Sequence, residues 1–222
     1  MTVKVAELFP ASDVLARWVF SLSVVVDDLS VADGLLHDAM EDLHDTEVTH
    51  HFRSIVTRLY EARRLVLAVD EHEEVRTFLA GITAAQELLA TLRDVYVAPS
   101  EGCSKIDDEF GVMRHRTVHY SWVGSDELRE ILDAASDVVA RYVVDDTTQT
   151  AYFEWPRTVF MRATWGDLSN AANTQRLGDQ AQLAHDVTQT FSALLMAVIQ
   201  PYLQGRGIDG EHLIAALDDE DE

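Results

Sequence analysis

Apolar residues recur three and four positions apart through the first hundred residues, and this spacing constrains the fold more than any other feature of the chain. Leu15, Trp18, Leu22, Val25, Leu29, Ala32, Leu36, Ala39 and Leu43 follow it. With 3.6 residues per turn, such residues share one stripe of a helix that buries a single face. Pro10-Ala11-Ser12-Asp13 supplies a cap signal before the run, and Gly34 is a point where the helix is open to interruption. Val48, Phe52, Ile55, Leu59, Ala62, Val66 and Val69 form a second set, and Val75, Phe78, Ile82, Ala85, Leu89, Leu92 and Tyr96 a third. Three helices with short connections predict an all-α fold built as an antiparallel bundle.

Pro99-Ser100-Glu101-Gly102 ends the third helix, after which Ile106, Phe110, Met113, Thr117 and Tyr120 share the stripe of a fourth. Gly124-Ser125-Asp126-Glu127 provides a break, a cap and two acids for a fifth helix through Leu128, Ile131, Ala135, Val138 and Tyr142. Residues 144–176 are less regular: their aromatic-rich stretch Tyr152-Phe153-Glu154-Trp155-Pro156 reads as a short hairpin or an irregular helix over one end of the bundle. Ala184, Val187, Phe191, Leu194 and Val198 give a last helix, stopping near Pro201 and Gly205. The expected organisation is a lead-in at 1–11, a helical bundle at 12–143, a C-terminal extension at 144–204 and an acidic tail at 205–222.

Thirty-nine acids against 17 bases give a formal net charge of -22. Seven of those acids lie in 209–222, so the remainder still carries 32 acids against the same 17 bases. Such a chain lacks the broad basic face that sequence-independent duplex binding needs, and any nucleic-acid contact is local. The one cysteine, Cys103, excludes an internal disulfide framework and a cysteine-rich zinc site. The start has no signal-peptide layout, and the apolar run 18–26 is too short to span a bilayer, so a cytoplasmic protein without membrane contact is expected. No phosphate-cradling glycine loop, serine elbow or dinucleotide fingerprint occurs, and no cofactor is expected.

Against this acidic background, residues 110–125 contain no Asp or Glu but hold Arg114, His115, Arg116 and His119. Arginine neutralises phosphoryl charge and histidine titrates near neutral pH, so the segment suits phosphate and proton transfer. A solvated basic helix face is the plainer alternative. On an ideal helix Arg114 and His119 lie about 140° apart, so they do not share a face. Residues 50–64 add Arg53, Arg58, Arg63 and Arg64 against one acid, Glu61, and read either as a second positive wall or as an ordinary helix with basic outer positions. His115 and His119 also have the i, i+4 spacing of paired metal ligands. Glu41 with His44, and Glu47 with His50, are Glu-x-x-His units set too close together to imitate a two-helix metal centre. Glu71, Glu73 and Glu74 around His72 read as a solvated charged turn.

Arg114-His115-Arg116-Thr117-Val118-His119, ending in Tyr120, resembles the Arg-x4-6-His motif of the HEPN superfamily, a group of all-helical proteins that includes many metal-independent ribonucleases. A second match, Arg206 to His212, lies in a glycine-rich region outside any amphipathic segment and is set aside. The resemblance covers roughly 12–143. It implies His119 as general base on a ribose 2'-hydroxyl and Arg114 as stabiliser of the attacked phosphate, with His115, Arg116 and Tyr120 in support. It further implies RNA as substrate, with Arg53, Arg58, Arg63 and Arg64 as contacts, and a site shared across a homodimer. A stress or phage-defence setting of toxin–antitoxin type, with a regulatory protein partner, belongs to the same expectation. The alternatives are a non-catalytic HEPN-like module binding RNA or protein, and a metal-binding bundle using His115 and His119.

Overall fold

The computed structural model describes residues 4–41, 45–99, 102–114, 142–145, 150–153 and 155–208, together with Arg129 and Asp133, both helical and exposed. These residues are helical apart from one hairpin: α1 (Val5–Leu8), α2 (Val14–Glu41), α3 (Asp45–Glu71), α4 (Glu73–Ala80), α5 (Thr83–Tyr96), α6 (Lys105–Met113), β1 (Tyr142–Asp145), β2 (Thr150–Phe153), α7 (Trp155–Trp165) and α8 (Ala171–Gly205).

The Asp13 carboxylate accepts the Ala16 amide at 2.9 Å and so caps α2, satisfying a donor the helix cannot satisfy itself. From there α2 runs unbroken through Gly34, because the helical bonds on either side hold the glycine in place. The whole second apolar set, from Val48 to Val69, is buried along α3. Trp18 Nε1 donates to the Leu65 carbonyl at 3.1 Å, and Arg58 approaches Asp28 at 4.0 Å, tying α2 to α3.

The third apolar set is not one helix. Gly81 closes α4 through its amide on the Phe78 carbonyl, and Ile82 takes an extended conformation before α5 begins. Of the expected stripe, Val75, Ala85, Leu89, Leu92 and Tyr96 are buried on both sides of the break, whereas Phe78 and Ile82 are half-buried and Leu79 is buried in place of Phe78. Ser104 caps α6, whose Ile106, Phe110 and Met113 are buried as the spacing predicts. Thr117, Tyr120, Leu128, Ile131, Ala135 and Val138 lie outside the described residues. Tyr142 corrects the expected fifth helix: it opens β1 and pairs with Phe153, in register with Val143 opposite Tyr152. Tyr142-Val143-Val144 is aromatic and β-branched, a composition that suits a pleated surface better than a helix end.

The irregular stretch thus resolves into an antiparallel hairpin followed by the regular helix α7. Asn170 then caps α8 by accepting the Ala172 amide at 2.9 Å, so the last helix starts well before Ala184. It passes Pro201, where one missing amide is tolerated close to the end, and stops at Gly205.

One contiguous core draws on α2 through α8, with Phe52, Tyr96, Phe110 and Phe191 among its largest fully buried members. Phe52 meets Trp165 edge-on at 5.2 Å. Trp165 Nε1 donates to Gln180 Oε1 at 2.7 Å, and Gln180 Nε2 donates to the Glu109 carbonyl at 2.6 Å, tying α7, α8 and α6 through a buried amide. At the far end of α8, Tyr202 donates to the Leu8 carbonyl at 2.6 Å and Arg206 pairs with Asp13. Among the described residues, no helix is long and apolar enough to cross a membrane.

Candidate functional site

Arg114 stands where α6 ends, exposed, with helical backbone angles. Its guanidinium carbon lies 4.2 Å from the ring centroid of Tyr60, on α3, within the range of a cation–π contact. Tyr60 is fixed in turn: its hydroxyl donates to the Ile106 carbonyl at 3.3 Å and lies close to Asp107. Burial, and then the neighbouring Asp107 carboxylate, push the phenol well above its ordinary range, against the opposing pull of Arg114 and Arg63. Tyr60 is therefore a neutral aromatic seat for the arginine.

Behind this seat, Ser104 and Asp107 form a reciprocal cap: the Ser104 hydroxyl donates to Asp107 Oδ2 at 2.6 Å and accepts the Asp107 amide at 3.3 Å. Arg63 donates to the same carboxylate at 3.0 Å. Burial opposes ionisation of Asp107, but the hydrogen bond from Ser104, the nearby Tyr60 hydroxyl and the charge of Arg63 outweigh it and hold the carboxyl below its usual range. Arg63 and Arg114 thus approach one tyrosine from α3 and α6. Asp107 neutralises Arg63, whereas among the described residues no carboxylate pairs with Arg114.

Arg58 and Arg64, also on α3, have partners of their own. Arg58 turns toward Asp28 on α2 and donates to Ser54 Oγ at 2.5 Å. Arg64 is exposed and pairs with Glu61 on its own helix at 2.9 Å, and Arg53 is half-buried. His115, Arg116, His119 and Tyr120 lie outside the described residues, and no cluster of potential metal ligands occurs among the residues described.

Sequence spacing overlooked two features. Tyr60 and the Ser104–Asp107 pair are one, and the Ser-x-x-Asp spacing ahead of Phe110 was an available signal for the cap. The other is a groove of about 380 Å³ between α2 and α8, floored by Leu36, Met40 and Ala181. At its edge His185 Nδ1 lies 2.7 Å from Asp33 Oδ2, and His37 Nε2 lies 3.3 Å from Glu41. A carboxylate that orients an imidazole prepares it for proton transfer. Among the described residues no Arg or Lys lines the groove, so these offer a phosphate no counter-charge. No sequence signal marks this pair, since its members are 152 positions apart.

Comparison of the chain with protein families, with curated proteins and with solved structures returns no match.

Proposed function

We propose that this chain is an antiparallel, HEPN-like helical bundle that acts as a metal-independent endoribonuclease, with Arg114 and His119 as its catalytic pair. His119 takes the proton of a ribose 2'-hydroxyl, the freed oxygen attacks the adjacent phosphorus, and the 5'-oxygen leaves and is protonated by solvent. The products are a 2',3'-cyclic phosphate and a 5'-hydroxyl. Arg114 counters the charge that grows on the phosphoryl oxygens, with His115 and Arg116 adding positive potential. The pair is 140° apart on a regular helix, so the working site is composed across a homodimer, and a regulatory protein partner restrains it in a defence setting.

The observation that supports this reading is the state of Arg114. In a chain with a net charge of -22, the first residue of the motif is exposed, held on an aromatic face, and has no carboxylate partner among the described residues. An arginine positioned but not neutralised is what an incoming phosphate requires. The test is to incubate the protein with mixed RNA in excess chelator and analyse the fragment ends. Cyclic phosphate ends, lost in His119→Ala, are expected. Activity that needs a divalent ion would instead favour His115 and His119 as metal ligands.

A second reading, a non-catalytic module that binds RNA or protein, is favoured by one observation: Arg58, Arg63 and Arg64 each face a carboxylate of the same chain. Binding without cleavage at any protein concentration would support it over the enzyme.

A further inference from the structure

We propose that α2 forms a contact between two copies of this chain, packed against the partner's α2 in the opposite direction about a two-fold axis between Asp27 and Asp28. The inward face of α2 carries Trp18, Leu22, Leu29 and Leu36, all buried in the bundle. Its outward face carries Phe20, Val24, Val31 and Leu35, which remain 44, 45, 55 and 46% exposed. At about 100° per residue these four fall within an arc of about 60°. A helix apolar on both faces is a helix with two partners, and the bundle supplies one.

The pattern itself identifies the second. Phe20 and Leu35 are equally distant from the midpoint between residues 27 and 28, and so are Val24 and Val31. A two-fold interface requires a self-complementary surface. Opposed helices place Phe20 on the partner's Leu35 and Val24 on the partner's Val31. The same symmetry places Arg17 beside the partner's Asp38. Both residues are exposed, and neither has an ion-pair partner among the described residues, although Arg17 donates to the Ala11 carbonyl at 2.7 Å. Charge and hydrophobicity therefore share one register. An anionic membrane surface fits poorly, because Asp27 and Asp28 flank the stripe on a strongly acidic chain. Near the axis these carboxylates face their copies, relieved in part by Arg58 at 4.0 Å from Asp28, so the contact should strengthen as salt screens them. This interface uses no residue of the ribonuclease site, so it does not itself compose that site: the catalytic pair requires a separate contact between copies, and the α2 contact is tested independently of it.

Light scattering and sedimentation of the full chain at micromolar concentration test it. A dimer is expected, tighter in moderate salt than in low salt, and weakened roughly a hundredfold in Val31→Glu, which sets a carboxylate against the partner's apolar Val24. Circular dichroism should be unchanged in that variant, as Val31 is exposed. Arg17→Asp should weaken the dimer, and adding Asp38→Arg should restore it. With Cys103→Ser as background, Val24→Cys combined with Val31→Cys should form covalent dimers on oxidation, and neither alone should. A monomer under all these conditions, or a dimer indifferent to Val31→Glu and to the charge swap, overturns the proposal.

Discussion

Two buried tyrosines meet burial differently. The Tyr60 hydroxyl has the Ile106 carbonyl as acceptor, and its ring carries Arg114. The Tyr96 hydroxyl is fully buried with no hydrogen-bond partner among the described residues, and burial pushes it far above the ordinary phenol range. A buried polar atom without a partner costs about 1–3 kcal/mol in desolvation. Tyr96→Phe should therefore be neutral or raise the unfolding free energy by about 1 kcal/mol in denaturant titration; a loss of that size would reveal a partner. Asp107→Ala should cost about 2 kcal/mol or more, because it removes the acceptor of the Ser104 hydroxyl and strips Arg63 of its counter-charge. The pH dependence has a definite sign. Asp107 is held below the ordinary aspartate value of 3.8, so the unfolded chain binds the proton first as pH falls. Its contribution is present above that value and is lost as pH drops through the folded-state pKa. The gap in stability between the wild type and Asp107→Asn should accordingly shrink below about pH 4.

At the level of elements, glycine effects separate by position. Gly34 sits inside α2 with nothing within 4 Å of the place a Cβ would occupy, so Gly34→Ala should stabilise the fold by about 0.5–1 kcal/mol. Gly166 follows α7 at φ +78°, a backbone conformation that strains any side chain, and an added Cβ would come 2.8 Å from Nδ2 of the Asn173 side chain. Gly166→Ala should destabilise by about 1–2 kcal/mol, and thermal melts of the two variants should shift in opposite directions. Helix stripes were legible because burial repeats with the helical period: all seven apolar positions from Val48 to Val69 are buried. The break at Gly81 was not, because Ile82 keeps the same spacing on either side and the period alone cannot distinguish one helix from two. Tyr142 was misplaced for a related reason. It continues a helical count, whereas its β-branched neighbours and its partner Phe153 decide the local structure.

For the molecule as a whole, acidity sets the terms of recognition. A charge of -22 repels RNA everywhere except where arginine is concentrated and uncommitted, so association should be slow and local. Candidate positions along the chain were readable from residue type and spacing. Which arginines are neutralised was not, because Asp28 and Asp107 reach Arg58 and Arg63 only through the packing of α2 and α6 on α3. Arg114 could be named from the motif, but its seat on Tyr60 depends on a contact 54 positions away in sequence. The most direct test of the ribonuclease reading is the rate of RNA cleavage in chelator by Arg114→Ala, compared with the wild type at matched folding. A loss of about a hundredfold to a thousandfold is expected, the scale of removing one transition-state charge stabiliser. A rate within twofold of the wild type would rule out Arg114 as that stabiliser.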